Sequence, residues 1–369
     1  MTKKGAHVDK PLAILIFVLL VGGSMIFASA ALGYLARGGG NVSSVVFNHL
    51  VLGAGIGVIA LLITSSIDYR VWRRYAPFFF ILAVIATALV FVPQLGIVHG
   101  GGRRWLEIAG MSIQPSEAMK LGTVFMAAAY FSAIRAHIQS YWHTIGGLLG
   151  ILALPAALLI LQPDIGTLGI IVASALAVYL AAGVPWKHIA IMACIVLIAF
   201  GALIAVKPHA RERIVTFFYP SQNQQAEGYQ IRQSLIAIGS GGLAGRGFGQ
   251  GVQKFTYLPE PMGDSIFAVA AEELGFIGSV FIIALFLVVA LRGFALASRA
   301  PDVFGGLLGI GISTYLVSEA FINISSMLGV LPLTGIPLTF ISQGGTAMLV
   351  SLASAGILLN ISKYSTSNR

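Results

Sequence analysis

Residues 254–275 read Lys-Phe-Thr-Tyr-Leu-Pro-Glu-Pro-Met-Gly-Asp-Ser-Ile-Phe-Ala-Val-Ala-Ala-Glu-Glu-Leu-Gly. A polar segment stiffened by Pro259 and Pro261 runs straight into an apolar stretch that continues to about residue 291. About 20 apolar residues in a helix cross a hydrocarbon core of about 30 Å. The seam at Asp264 therefore reads as a membrane–water boundary, with a carboxylate standing on it. Two readings of Asp264 are open at this level: a helix cap, or a group doing chemistry on a substrate that is half lipid and half water-soluble.

The rest of the chain has the same character. It is 57% hydrophobic and 9% charged, against roughly 25% charged residues in soluble domains. The pattern predicts an all-α polytopic membrane protein with ten spans, near 11–35, 44–66, 75–93, 115–134, 142–162, 165–183, 187–206, 265–291, 303–327 and 345–362. A basic N-terminus and Phe27-Ala28-Ser29-Ala30 imitate a cleaved signal, but the apolar run from Pro11 to Ala36 is long enough to span and is expected to stay. The single cysteine, Cys194, excludes a disulfide framework and a thiolate metal site. The net charge of +9 fits loop anchoring and anionic lipid head groups in such a chain, with no nucleic acid expected.

With the N-terminus inside, Lys3, Lys4, Lys10, Arg70, Arg73, Arg74, Arg135, Lys187, Arg292, Arg299, Lys363 and Arg369 all fall on the inner side. That bias predicts cytoplasmic termini. Two outer segments, 94–114 and 207–264, are too long to be turns. The second carries a short amphipathic helix near 229–238, then glycines at 239, 241, 242, 245, 247, 249 and 251, which imply a backbone packed closely on something. The chain reads as one transmembrane domain over 1–369, with the large outer loop between spans seven and eight.

Ionisable groups inside a membrane are costly, so each is a candidate. Glu117 and Lys120 share a helix face after Gln114-Pro115-Ser116. They read either as a neutralised pair or as a lysine held for a phosphate, with Ser116 as the helix cap. Arg104, beside Arg103 and Trp105, suits bidentate phosphate binding or an interfacial belt. Asp164 is expected to cap the sixth span, and Glu272 and Glu273 to be structural. Glu319 and Asn323 share a face that serves interhelical hydrogen bonding or catalysis. No Gly-Lys-Ser/Thr phosphate loop occurs, which argues against a self-contained ATP-driven pump.

Seven motifs in order resemble one family, the SEDS (shape, elongation, division, sporulation) proteins. They are Gly102-Arg-Arg-Trp105, Ile113-Gln-Pro-Ser-Glu-Ala-Met-Lys120, Gln162-Pro-Asp-Ile-Gly-Thr167, Gly228-Tyr-Gln-Ile-Arg-Gln-Ser234, Val252-Gln-Lys-Phe-Thr-Tyr-Leu-Pro-Glu260, Ala271-Glu-Glu-Leu-Gly275 and Leu333-Thr-Gly-Ile-Pro-Leu-Thr-Phe-Ile-Ser342. The Val252–Glu260 motif is nearer the cell-division branch than the elongation branch.

The resemblance implies ten transmembrane helices in a bacterial cytoplasmic membrane and peptidoglycan glycosyltransferase activity on lipid II at the outer face. It implies as partners the growing glycan strand, a class B penicillin-binding protein and other divisome proteins. The family's essential aspartate maps onto Asp264, and its substrate-binding positions onto Arg104, Glu117, Lys120, Lys254 and Glu260. No cofactor is implied beyond a divalent cation, Mg or Mn, as an alternative to Arg104 and Lys120 for charge on the leaving group. The chain departs from the pattern at Met262-Gly263, where His-Thr or Gln-Thr is usual, at Ser342-Gln-Gly-Gly-Thr346 and at Ser112. The first departure removes a polar neighbour of the aspartate. A lipid II flippase and a non-catalytic scaffold are the rival expectations.

Overall fold

The computed structural model describes residues 8–36, 46–99, 102–108, 111–219 and 227–365. Lys3, Lys4 and Arg369, used in the sequence reading, lie outside them. The chain opens with α1 (Lys10–Ala36), α2 (Ile56–Ser66, entered through a π-helical stretch Asn48–Gly55) and α3 (Arg70–Ala88). A small sheet of β1 (Gly96–His99), β2 (Gly102–Ile108) and β3 (Met111–Ile113) follows. Next come α4 (Pro115–Ala133), α5 (Gly147–Leu161), α6 (Ile165–Ala181) and α7 (Trp186–Val206). Three shorter helices fill the long segment: α8 (Pro208–Phe218), α9 (Glu227–Ser240) and α10 (Gln253–Thr256). The bundle closes with α11 (Ile266–Ser298), α12 (Val303–Met327) and α13 (Gly345–Tyr364).

Helices stand at all ten expected places. Eight are long and apolar enough to cross a membrane; the other two are α4, of 19 residues, and α6, of 17. These two pack against each other and against α12, and α4 also meets α3 and α13. A helix shielded by its neighbours faces little lipid, so it tolerates polar residues that a rim helix does not.

Polar contacts fix which helix ends lie together. The Asp9 N–H donates to Ser362 Oγ (3.0 Å) and the Asp9 carboxylate lies 3.4 Å from Arg292. Arg70 pairs with Asp302 at 3.1 Å, and Lys363 donates to the Ser65 carbonyl at 2.6 Å. Both described ends of the chain therefore share one end of the bundle. Asp264, bonded to the far end of α12, lies at the other.

Two expectations are corrected and a third is met. The outer segment 94–114 is not plain loop: it folds into an antiparallel three-stranded sheet in the order β1-β2-β3, an addition to the all-α reading. Ser116 does not cap α4; Gln114 stands at the cap, Pro115 opens the helix, and the buried Ser116 Oγ has no hydrogen-bond partner among the described residues. Among the described residues of 207–264, three helices pack back on the bundle, and the expected amphipathic helix runs over Glu227–Ser240.

The close-packed glycines find their partner in α11. That helix is broken at Gly275 (φ 69°, ψ −166°), and the segment after α9 docks into the break, main chain to main chain. The Phe276 and Ile277 N–H groups donate to the carbonyls of Gly242 and Leu243 (2.8 and 3.2 Å), while Arg246 and Gly247 donate to those of Glu272 and Glu273 (3.0 Å each). A Cβ on Gly245 (φ +82°) would sit 2.1 Å from the Glu273 carbonyl oxygen. Gly245→Ala is expected to lower the melting temperature in detergent sharply, through the clash and a left-handed backbone costing about 1–3 kcal/mol. Gly239→Ala, where an added methyl meets nothing within 4 Å, is the control and should be neutral or slightly stabilising.

Candidate active site

Asp264 sits at the end of a proline-stiffened turn. Leu258 and Met262 are buried and anchor it. Glu260 between the prolines has a positive φ of 43°, and its carbonyl accepts from Gly263 (3.0 Å) and Ser265 (3.2 Å). Ser265, not Asp264, occupies the cap position of α11, and makes no capping bond there. The cap reading of Asp264 falls, because its side chain is turned to another partner.

That partner is Gln230 on α9. Gln230 Nε2 donates to Asp264 Oδ1 at 2.9 Å and to Ser265 Oγ at 3.0 Å. The backbone around the carboxylate is pinned from two more directions. Asn323 Nδ2 on α12 donates to the Asp264 carbonyl at 2.8 Å, and Ser342 Oγ donates to the Gly263 carbonyl at 2.7 Å. The Gln343 N–H donates to the Met262 carbonyl at 2.7 Å. Met262 and Gly263 thus contribute carbonyls where the family pattern offers polar side chains, and the orienting amide comes from another helix.

Asp264 is half-buried. Its pKa is pushed up to about 6 by burial, opposed by the Gln230 hydrogen bond and reinforced by the neighbouring charge of Glu260. Glu260 itself is exposed beside it, its carboxylate 3.3 Å from where a Cβ on Gly263 would stand. A carboxylate with a raised pKa, held by the Gln230 amide and by main-chain hydrogen bonds at Asp264 and Ser265 and half-open to solvent, suits a general base.

Below Asp264 lies a charged cluster. Asn323 and Glu319 are one turn apart on α12, as their spacing predicted. Lys120 Nζ lies 2.7 Å from Glu117 and 3.0 Å from Glu319, and 5.1 Å from the centre of the Tyr315 ring. Lys120 and both carboxylates are buried at 1% exposure or less. The neutralised-pair reading gains a third member, and the lysine is enclosed by it.

Two other sequence candidates stand elsewhere. Lys254 is buried against Glu273, Ser29 Oγ (2.6 Å) and the Gly249 carbonyl (3.1 Å). These contacts brace the glycine segment onto α1 and α11, and none reaches Asp264. Glu272 accepts the Val252 N–H at 2.9 Å, so both glutamates are structural here. Arg104 on β2 donates to the carbonyls of Gln162 (3.3 Å) and Pro163 (2.6 Å) in the α5–α6 turn. Asp164 caps α6 as expected, accepting the Thr167 N–H at 3.2 Å.

Gln230 and Ser342 were inside quoted motifs but carried no role, since a lone amide or hydroxyl gives no signal until its partner is known. His209 on α8 gave none either; it lies within reach of the charges of Arg213 and Arg104.

The family model described as a cell cycle protein, FtsW/RodA/SpoVE, matches residues 10–367. Stage V sporulation protein E of Bacillus subtilis (strain 168) is 37% identical over 99% of this chain and 100% of that one. A probable peptidoglycan glycosyltransferase FtsW of Geobacter sp. (strain M18) is 36% identical over 83% of this chain and 84% of its own. Peptidoglycan glycosyltransferase MrdB of Escherichia coli (strain K12) is 32% identical over 96% and 93%. Among solved structures, a chain of a peptidoglycan synthase complex coordinating polymerization and crosslinking superposes with TM-score 0.76 at 25% identity, over 96% of this chain and 97% of that one. The Thermus thermophilus rod shape determining protein RodA does so at 0.67 and 23%, over 98% of both, a likeness of fold.

Proposed function

The chain belongs to the FtsW/RodA/SpoVE family, and from that premise we propose that it is a peptidoglycan glycosyltransferase that polymerises lipid II on the outer face of a bacterial cytoplasmic membrane, in septal wall synthesis beside a class B penicillin-binding protein. The observation that carries the reading is the Gln230–Asp264 contact: an aligned, half-buried carboxylate with a pKa near 6 at one end of a membrane bundle. Relatives named peptidoglycan glycosyltransferase, and likeness to a chain of a synthase complex, support the substrate and partner.

In the proposed step Asp264 takes the proton from the 4-hydroxyl of the acceptor's GlcNAc. The oxygen attacks the anomeric carbon of the lipid-linked donor with inversion. The bond from that carbon to the diphosphate breaks, and undecaprenyl diphosphate leaves with the bonding pair. Asp264 then returns its proton to solvent through its open side. Arg104 is the candidate for positive charge on the leaving group.

Among the described residues no group of three or more His, Cys, Asp or Glu is placed to hold a metal ion. A divalent cation that keeps most of its waters and shares diphosphate oxygens needs only one or two carboxylates, and Glu260 beside Asp264 fits that demand. When bound it would supply positive charge to the leaving diphosphate.

The flippase reading needs a polar route through the bundle. The buried Glu117–Lys120–Glu319 cluster is polar, but the cavity beside Glu319 is about 10 Å³, room for about one water and none for a sugar. The discriminating experiment is the purified protein with lipid II in detergent, where there are no two sides to flip between. Glycan chains are expected; their absence with and without the transpeptidase would sink the enzyme reading.

The role of Gln230 has its own test. Gln230→Leu removes the largest of the hydrogen bonds that hold the Asp264 pKa down, so the acid limb of the pH–rate profile should rise by roughly one unit. A lower rate with an unmoved limb would make Gln230 a packing residue only.

A further inference from the structure

The end of the bundle opposite Asp264 carries an assembly that the transfer step does not use. α4 begins beside Glu319 of α12 and runs 19 residues, so its last turn lies at the end that holds the described chain ends. From there a short turn, Arg135–His137, and a π-helical stretch, Trp142–Gly146, lead into α5. The start of α7 meets that connection: Thr144 Oγ1 and His188 Nδ1 lie 2.7 Å apart, and the Tyr141 and His188 ring centres 4.1 Å. The His137 and His143 rings stack at 4.9 Å. These contacts make one strip from Arg135 to Lys187.

The strip is cationic and contains no carboxylate. Arg135, His137, His143 and Lys187 are all exposed. Arg135 and Lys187 make no ion pair among the described residues. From 121 to 210 the sequence has one acidic residue, Asp164, which caps α6 at the opposite end. The described carboxylates at this end are engaged elsewhere: Asp68 and Asp302 hold Arg70, and Asp9 holds Arg292.

Beside the strip the surface is aromatic. Trp142 is 85% exposed and Trp186 73%. A Cβ on Gly146 would sit 2.9 Å from Trp142 Cε3, so that indole lies along the flank of its own helix and not out in the water. α7 buries only His188 and Met192 of its 21 residues, and the rest of it is left to lipid. Indoles settle where lipid head groups meet the chains, and basic side chains beside them attract anionic head groups. An arginine fork matches phosphate oxygens. A soluble anion has no use for the two indoles; an anionic lipid uses both.

We propose that Arg135, His137, His143 and Lys187 bind the headgroup phosphate of an anionic phospholipid, with Trp142 and Trp186 against its glycerol and upper chains. The site takes this end of the bundle as the inner one, as the Lys and Arg bias has it. It is independent of the chemistry at Asp264. Because α7 is footed here through His188, the bound lipid joins α7 to the α4–α5 connection and should stabilise the fold by mass action.

The test titrates phosphatidylglycerol into the full chain in detergent and counts bound lipids by native mass spectrometry, with phosphatidylcholine and inorganic phosphate as comparisons. The wild type should bind phosphatidylglycerol in preference to phosphatidylcholine and melt higher with it. Arg135→Gln and Lys187→Gln are each expected to weaken phosphatidylglycerol binding about fivefold, the effect of one basic side chain at an anionic surface. Both positions are exposed, so these variants should fold. Lys10→Gln is the control. Lys10 is also exposed at this end, but on α1, which packs on α10, α11 and α13, and its loss should leave the affinity unchanged. An equal loss in Lys10→Gln would reduce the effect to general surface charge and overturn the site. So would unchanged affinity in the double variant Arg135→Gln, Lys187→Gln, or a wild type indifferent to the headgroup. Displacement of the lipid by inorganic phosphate at equal concentration would make this a soluble-anion site and overturn the lipid assignment.

Discussion

Asp264→Ala is expected to reduce lipid II polymerisation by about 10²–10⁴-fold, the usual contribution of a positioned general base, which on a glycan-chain gel reads as no product. The protein should still fold and insert, because the turn is held by backbone contacts. Asn323 binds the Asp264 carbonyl, Ser342 the Gly263 carbonyl and Gln343 the Met262 carbonyl, and none needs the carboxylate. In the wild type, kcat/KM should fall about tenfold per pH unit below about 6, as the base becomes protonated. Stability should move the other way. The Asp264 pKa is raised on folding, from 3.8 to about 6, so the folded state favours the proton. Between those values stability declines as pH rises, and at neutral pH the ionised carboxylate is a net cost. Asp264→Asn is therefore expected to melt no lower than wild type at pH 7 while being inactive. Full polymerisation by Asp264→Asn would remove Asp264 from the chemistry.

Lys120→Met is expected to be the most damaging single substitution to the fold. It leaves Glu117 and Glu319 facing each other at 1% exposure or less without their cation. Removing one partner from a buried ion pair costs about 3–5 kcal/mol, whereas replacing the whole set by neutral residues is often tolerated. The triple variant Lys120→Met, Glu117→Gln, Glu319→Gln should recover most of the lost melting temperature. Its activity then separates the two sequence readings of Lys120. Normal polymerisation by the refolded triple variant would leave the cluster purely structural, and the phosphate-binding expectation would be withdrawn. Loss of activity with recovered stability would keep Lys120 in the site, acting from one helical turn beneath Asn323.

The places where sequence and structure parted share a cause. Lys120 looked accessible because it stands one turn into a helix at the membrane surface; α3, α6, α12 and α13 close over that helix, and no periodicity in 115–134 records which neighbours do so. Lys254 looked like a ligand-binding lysine in a polar motif, and its bond to Glu273 spans 19 residues of chain and its bond to Ser29 spans 225. The β1-β2-β3 sheet was hidden because its strands are short and its glycines read as loop. The Gly239–Gly251 cluster was the opposite case: seven glycines in thirteen residues demanded a close backbone approach, though not the broken helix that supplies it.

By itself the sequence determined the membrane class, the places of the ten helices, the amphipathic α9, the cap at Asp164 and the special position of Asp264. These follow from local composition and period, which are properties of neighbouring residues. Only the tertiary structure decided that Asp264 is oriented by Gln230 rather than capping its own helix, and that Lys120 belongs to a three-member buried cluster. Each of those rests on side chains from different helices meeting at one point. Hydrogen bonds and ion pairs reach only about 3–4 Å, so their partners are chosen by packing and not by spacing along the chain.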